Sequence, residues 1–599
     1  METHRSMAEV ISYSLIIMSK HILNYHKRNC LNLGELSDNS GNVNRIKDLQ
    51  QYNPIYSQFF HLNATNYNSI SFNHPNHITN LGQIQEIETG DVKTRSIFIK
   101  YSPLLDPIRY MIGKYDIEDN RIRTLPNISS TVENCHDKIL NASNASYVDN
   151  FFYFLSSVLL NHHHFHNGID YYGSFLGIQD KFKMNIEDDL EYLTSSSFFL
   201  KNIGKLMTLE NYDHQEIRGQ ESRKNRIRIS VDNQSVDLED VEACQEDLAI
   251  DRVEVNVTLL NEIDELLCSD CDIFLECDIL PENLDEGKES DKDSDDESCS
   301  TDNSDINYST TSEKSDANLE NEDSYEEDDC MDYDDDEFCD EGSEREDAIA
   351  YINNFPVQLI CLEKCIGTLD ELFEKDLIDE KNGIAIMFQI IITLLVYQKT
   401  FHFTHNDLHT HNIMYVRTSK KFLWYKYENE YYKVPTYGRI FKIIDFGRSM
   451  YKFGDKEFCS DSFAPGGDGA TQYNCEPFFN VEKPRIDRNF SFDLCRLGCS
   501  IYDFLFNEDS PPNKLNMLQS IIKEWVTDDG NRNILYKKNG NERYPGFKLY
   551  KMISRTVHAH TPKNQLKNPF FKIFLIKNRF NAKYSEDLLD IDGLPSYVN

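Results

Sequence analysis

The stretch that decides the fold is FHFTHNDLHTHNIMY, Phe401–Tyr415, read with FKIIDFGR, Phe441–Arg448. The first follows the nearly all-apolar run Ile384–Lys399, which reads as a buried helix. HNDLHTHN, His405–Asn412, then falls on a loop. Ile440–Ile444 reads as a strand that ends in Asp445, Phe446 and Gly447. Asp407 can accept a proton from an attacking hydroxyl. Asn412 and Asp445 offer oxygen ligands of the kind a hard cation such as Mg²⁺ takes beside phosphate oxygens.

Working outward, the sequence predicts a strand, a bend near Gly367 and a helix over Pro356–Phe373. Upstream, IFIKY (Ile97–Tyr101) reads as a strand carrying Lys100, and GSFLGI (Gly173–Ile178) as another. Between them Tyr147–Asn161 has apolar residues at helical spacing after Asn and Ser cap candidates. Downstream of the motif a hairpin is expected before Ile440, and mainly helix from there to about Arg579. Tyr13–Leu23 reads as one short helix. Strands followed by helices suggest an α+β chain in two lobes. Four segments result: an N-terminal extension 1–80, a strand-rich lobe 81–235, an acidic insertion 236–350, and a hinge with a helical lobe 351–599.

The chain of 599 residues has a formal charge of -40. About 45 acidic residues against about five basic ones lie between Val236 and Ala350, so the rest is near neutral. Self-repulsion and few apolar residues argue for disorder there. The acidic segment reads as a solvated linker or as a docking tail for a basic partner, and Ser294 and Ser324 precede acids that acid-directed kinases recognise. Direct nucleic-acid binding is not expected, since phosphates repel carboxylates. The 15 Cys show no repeating framework. No secretory leader is read, and the uncharged run Ile384–Tyr397 is short of the ~20 residues that span a bilayer. A soluble protein of a reducing, cytoplasmic compartment is the expectation.

Phosphoryl transfer asks a protein for positioning and charge neutralisation rather than covalent chemistry. Both motifs in this order, about 33 positions apart, carry more weight than either alone. On these residues the chain resembles the protein-kinase superfamily over about residues 81–580, the insertion excepted. The resemblance implies a bilobal kinase-like fold, ATP and Mg²⁺ as cofactors, and a protein Ser/Thr hydroxyl as acceptor. It makes Asp407 the catalytic-loop base, Asn412 and Asp445 the metal ligands, and Gly447 the structural glycine of the DFG. Lys100 in IFIK matches the strand lysine that holds the α and β phosphates. Leu362–Lys364 match the ATP-binding hinge, with Leu362 and Lys364 beside the nucleotide. Asp493 in SFDLCRLG, Ser491–Gly498, matches the Asp that braces the catalytic loop. CEP, Cys475–Pro477, is a loose match to the APE closing the activation segment. The phrases SPLLDPIRYMIGKY and VPTYGRIFKIIDFGR also resemble divergent kinase-like proteins of giant DNA viruses, which would put the chain in host cytoplasm or virion.

Several positions depart from the pattern. No GxGxxG precedes Lys100; Gly82 and Gly90 are the nearest glycines. Asn406 stands where the loop usually has Arg, so activity is not expected to need a phosphorylated activation loop. His409 replaces the loop Lys that contacts the γ-phosphate. The helix acid that pairs with Lys100 is assigned to Asp149, which shares a helical face with Phe152 and Leu159. A helix N-terminal acid favoured by the dipole is the plainer reading of Asp149. The alternatives to a protein kinase are a small-molecule phosphotransferase of the aminoglycoside or choline kinase type and a pseudokinase binding module. His162, His163, His164 and His166 cannot all face one ion, and the Cys268–Cys271 pair lacks a second pair at zinc-finger spacing.

Overall fold

A computed structural model describes residues 23–28, 45–187, 189–210, 348–506, 515–576 and 587–598. The Tyr13–Leu23 helix falls almost wholly outside these residues. So do most of the acidic segment, Cys268, Cys271, Ser294 and Ser324.

The chain is mixed α+β. Five strands form an antiparallel sheet: β1 (Ile46–Gln50), β2 (Ile97–Pro103), β3 (Tyr171–Asn185), β4 (Met207–Glu210) and β5 (Ile349–Glu363). Their order is β1-β3-β5-β2, with β4 also paired to β5. The pairing runs across two of the expected boundaries. Ile46 and Lys47 pair with Gln179 and Ile178, so the sheet reaches into the segment read as an N-terminal extension. Ile349–Glu363 pairs along both β2 and β3, so residues 351–363 belong to the sheet and not to the helical part. Glu210 pairs with Ile349, so the sheet closes across the interval of sequence that holds the acidic segment.

Helix α1 (Ala145–His163) crosses behind the sheet. The Asn144 side chain caps it by accepting from the Ser146 N–H, and His164 ends it at φ 55°. Its residues are buried on every face from Ser146 to Leu159. The one-sided apolar stripe of a surface helix is absent because α1 packs between the sheet and the remaining helices. Tyr147 joins the sheet-side core with Phe175, Phe182 and Phe355. Phe151, Phe152 and Phe154 join the larger core instead.

After β5 come the short helix α2 (Leu369–Glu374) and α3 (Glu380–Phe401). The Asp379 and Asn382 side chains cap α3 reciprocally. This 22-residue helix is long and apolar enough to cross a membrane by composition. Within the protein, 89% of its apolar window is buried, as in a core helix. The expected hairpin is present as β7 (Phe422–Tyr427) and β8 (Glu430–Pro435), between β6 (Ile413–Arg417) and β9 (Arg439–Ile443). β6 and β9 pair with each other, which brings Asn412 and Asp445 to neighbouring strand ends.

Beyond β9 the chain is less helical than its sequence suggested. Met450–Phe453 and Lys456–Cys459 form a small hairpin, and residues 464–490 run without a helix. APGG (Ala464–Gly467) and Pro477 and Pro484 break any helical run there. Helices α4 (Phe492–Leu505), α5 (Met517–Trp525) and α6 (Lys548–Thr556) follow. Gly498 lets α4 approach α5, since a Cβ there would stand 2.9 Å from Trp525 Cβ.

The β1–β3 junction is a test of the extended sheet. A Cβ at Gly177 would overlap Ile46 Cγ2. Gly177→Ala is expected to cost about 1–3 kcal/mol by overpacking, read as a lower urea midpoint. Adding Ile46→Ala should recover part of that loss.

Candidate active site

Lys100 lies in mid-strand in β2, opposite Ile360 of β5, and its side chain is 8% exposed. Its Nζ is 2.8 Å from Asp149 Oδ2 and 2.8 Å from Asp445 Oδ1. Burial alone would lower the ammonium, but the Asp149 and Asp445 charges outweigh it and hold Lys100 well above its usual range. Burial pushes the Asp149 carboxyl up, to about 6, against the pull of Lys100 and with the repulsion of Asp445. Asp445 is also buried, yet Lys100 keeps it below the usual carboxylate range. One cation thus ties together a strand, a helix and the end of β9.

Helix α1 holds the Asp445 segment at two further points. The Phe446 N–H donates to Asp149 Oδ1 at 2.7 Å. The Asp445 N–H donates to the Tyr153 hydroxyl at 2.9 Å. Asp149 and Tyr153 are four residues apart and so share one helical face. The Phe446 ring packs 4.6 Å from Phe152 and 4.8 Å from Tyr153 between centroids. Asp445 takes φ 61°, a left-handed conformation rare outside glycine. The clamp explains how it is maintained.

The His405–Asn412 loop hangs on Asp493 in the first turn of α4. Asp493 is fully buried and accepts from the N–H groups of His405 and Asn406, each at 2.9 Å. His405 Nε2 donates to the Ile444 carbonyl at 2.8 Å and its Nδ1 accepts from the Asp407 N–H at 3.3 Å. Asn406, at φ 66°, donates from Nδ2 to the Arg448 carbonyl at 3.0 Å. Its Oδ1 accepts from the Tyr473 hydroxyl at 2.9 Å. Where a charged Arg would reach for a phosphate, an amide joins two segments by neutral bonds.

Asp407 is 8% exposed. The Tyr550 hydroxyl donates to its Oδ1 at 2.7 Å, and Arg496 Nε donates to the same hydroxyl at 2.9 Å. Guanidinium nitrogens only donate, which turns the Tyr550 proton toward Asp407. Oδ2 remains the oxygen to which an acceptor hydroxyl can donate. Burial opposes the charge on Asp407, but Arg448, His409, Arg496 and the Tyr550 bond hold its carboxyl below the usual range. Burial lowers His409 to about 4, so the imidazole is neutral near pH 7 and the two arginines supply the charge.

The donor set fits a magnesium ion. Asn412 donates from Nδ2 to the Asp407 carbonyl at 3.0 Å, which leaves Oδ1 as a ligand. The Ile444 N–H donates to the Asn412 carbonyl at 3.0 Å and holds the two strand ends together. Asp445 commits Oδ1 to Lys100 and keeps Oδ2. A carboxylate and an amide oxygen are the hard ligands that Mg²⁺ takes alongside phosphate.

Other assigned residues are placed differently. Leu362 is paired on both sides, to Phe98 and Tyr171, and its side chain is 1% exposed in the core. The strand runs on to Glu363, so of the residues read as a hinge, Leu362–Lys364, only the exposed Lys364 lies beyond the sheet. Gly82 and Gly90 lie in turns of a separate sheet formed by Asn76–Asn80, Gln83–Glu86 and Val92–Thr94. Gly447 does not use a positive φ, and its N–H approaches Asp445 Oδ1 at 3.4 Å. His163 Nε2 is bonded to the Tyr597 hydroxyl at 2.6 Å, a packing contact.

Four side chains escaped the sequence reading. Tyr153 and Arg496 had a usable signal, standing four residues after Asp149 and three after Asp493. Tyr550 is 143 residues from Asp407 and carried none. Asp461 is the fourth: it accepts from the Ala145 N–H at 3.0 Å and from Lys138 Nζ at 2.7 Å, docking the post-DFG chain on the start of α1.

A comparison with protein-family models finds no match. One curated relative is similar in part, the serine/threonine-protein kinase haspin of Bos taurus, 34% identical over 105 residues. That stretch is 17% of this chain and 13% of the relative, so the chain spans about an eighth of the relative's length. The similarity hints at kinase-like character and goes no further.

Removing Lys100 should expose the electrostatics of the triad. Lys100→Met leaves two buried carboxylates facing each other, and a loss of about 3–5 kcal/mol is expected. Urea denaturation would read it. Lys100→Met with Asp149→Asn should regain part, because the amide oxygen still accepts from Phe446.

Proposed function

We propose that this chain is an ATP- and Mg²⁺-dependent phosphotransferase with a bilobal protein-kinase-like fold that phosphorylates a Ser/Thr hydroxyl of a protein. The observation that carries the reading is the convergence of Lys100, Asp149 and Asp445 on one ion network, next to a loop braced by Asp493. The partial similarity to haspin agrees with it.

In this reading Lys100 neutralises the non-transferred phosphates, and Asp445 and Asn412 would hold the metal. When bound, Mg²⁺ supplies charge neutralisation on the phosphate oxygens. Asp407, kept ionised with Oδ1 already bonded, orients the acceptor hydroxyl through Oδ2 and takes its proton. Tyr550 and Arg496 fix the plane of that carboxylate. Asp149 and Tyr153 keep Asp445 facing the nucleotide.

A second reading has its own support. Tyr550 covers Asp407 closely, and the base is nearly buried, a geometry suited to a small acceptor. A small-molecule phosphotransferase is the reading that fits it.

The test is incubation with labelled ATP, Mg²⁺ and generic protein acceptors, beside Asp407→Asn and Asp445→Asn. Each variant is expected to lose about 100-fold or more in kcat. Transfer that survives in both sinks the mechanism, and transfer to amino alcohols or aminoglycosides but to no protein selects the second reading. Nucleotide binding without transfer to any acceptor points to a binding module. Because Asn406 and Asp461 hold the post-DFG chain without an added phosphate, prior phosphatase treatment should leave the rate unchanged.

A further inference from the structure

Arg448 follows Gly447 directly, and its carbonyl is fixed to the catalytic-loop candidate by Asn406 Nδ2 at 3.0 Å. Its side chain is 13% exposed. The guanidinium lies 5.4 Å from the Tyr550 ring centroid and 5.6 Å from that of Phe547. Nη1 meets Asp468 Oδ2 at 3.4 Å. Nε and Nη2 are buried and have no hydrogen-bond partner.

Two orphaned charged donors are costly. Buried donors of this kind call for an explanation, and an acceptor that arrives with a ligand is one. The setting specifies what that ligand must be. Among the groups facing Asp407, the His409 ring is bonded to the Asn412 amide at 3.1 Å, and Arg496 spends Nε on the Tyr550 hydroxyl. The carboxyl groups of Asp445 and Asp493 lie in the same neighbourhood and bring no cation to it. The loop lysine expected to meet the γ-phosphate is His409. A transferring phosphoryl group would therefore meet carboxyl groups and no loop cation, beside an arginine with unspent donors.

We propose that Arg448 is a catalytic residue that binds the oxygens of the phosphoryl group as it passes to the acceptor at Asp407. The inference rests on the phosphotransferase reading. In the step, the acceptor oxygen forms its bond to phosphorus and its proton goes to Asp407 Oδ2. The bond from phosphorus to the β-phosphate oxygen breaks, and ADP leaves with that electron pair. Arg448 exchanges no proton; Nε and Nη2 donate to the phosphoryl oxygens, where charge gathers in a loose transition state.

The test compares wild type with Arg448→Gln, Arg448→Lys and Asp468→Asn. Arg448→Gln is expected to lose about 100-fold or more in kcat, as for loss of one preorganised donor, with KM for ATP changed little. Arg448→Lys should recover part, since it restores charge without the planar fork. Asp468→Asn should stay within about threefold of wild type, because it removes the ion pair and keeps the guanidinium. MgADP with aluminium fluoride, a mimic of the transferring group, gives a readout without turnover. Wild type should bind it more tightly than MgADP alone, and Arg448→Gln should lose that increment while keeping its MgADP affinity. Wild-type transfer with full kcat and full increment in Arg448→Gln overturns this inference alone. An equal defect in Asp468→Asn overturns it too, by making the role structural. A wild type that transfers to no acceptor removes the phosphotransferase reading and this inference with it.

Discussion

The buried ammonium of Lys100 is what the rest of the structure is arranged around. It sits on β2, pairs with Asp149 of α1, and pairs again with Asp445 at the end of β9. A lysine with so little access to water survives only if opposite charge is near. Two carboxylates that close repel each other unless a cation lies between them. Each group is therefore stable only in the presence of the others. The sheet, the helix behind it and the post-β9 segment are held in register by a contact that none of them can make alone. The aromatic wall of Phe152, Tyr153, Phe403 and Phe446 limits the water that could screen it.

A second network has the same logic but uses bonds to the backbone. Asp493 gives both oxygens to the loop N–H groups, and Asn406 links that loop to Arg448 and Tyr473. The loop is thus rigid from below and from the side. Asp407 gains a fixed carboxylate at the expense of easy access. That trade separates the two acceptor readings: a peptide needs a wide approach, while a small alcohol needs only the Oδ2 side.

Much of this was legible in the sequence where information is local. The apolar run became α3, IFIKY became part of β2, and a hairpin does precede Ile440. Asp149 was readable because a helical face can be projected from Phe152 and Leu159 without knowing the fold. What escaped depends on contacts distant in sequence. Ile46–Gln50 has too few apolar residues to announce a strand, and it becomes one by pairing with β3. Leu362 looked like hinge because a strand end is not marked by composition, and β5 continued past it. Tyr550 looked like one more aromatic residue on a short helix. Only the folded chain reveals that it spans 143 positions to reach Asp407.

The junction of β4 and β5 has a bearing on how such a chain can change over time. Glu210 and Ile349 are cross-strand partners, so β4 and β5 bring the two ends of their connection to one strand spacing. The entropy of closing a loop rises only with the logarithm of its length, about 0.6 kcal/mol for each doubling. Residues could be gained or lost in that interval by the dozen while the ladder of β3, β4 and β5 stayed in register. The junction is a port in the fold: the pairing of β4 with β5 sets where a connection enters the sheet and leaves its length open.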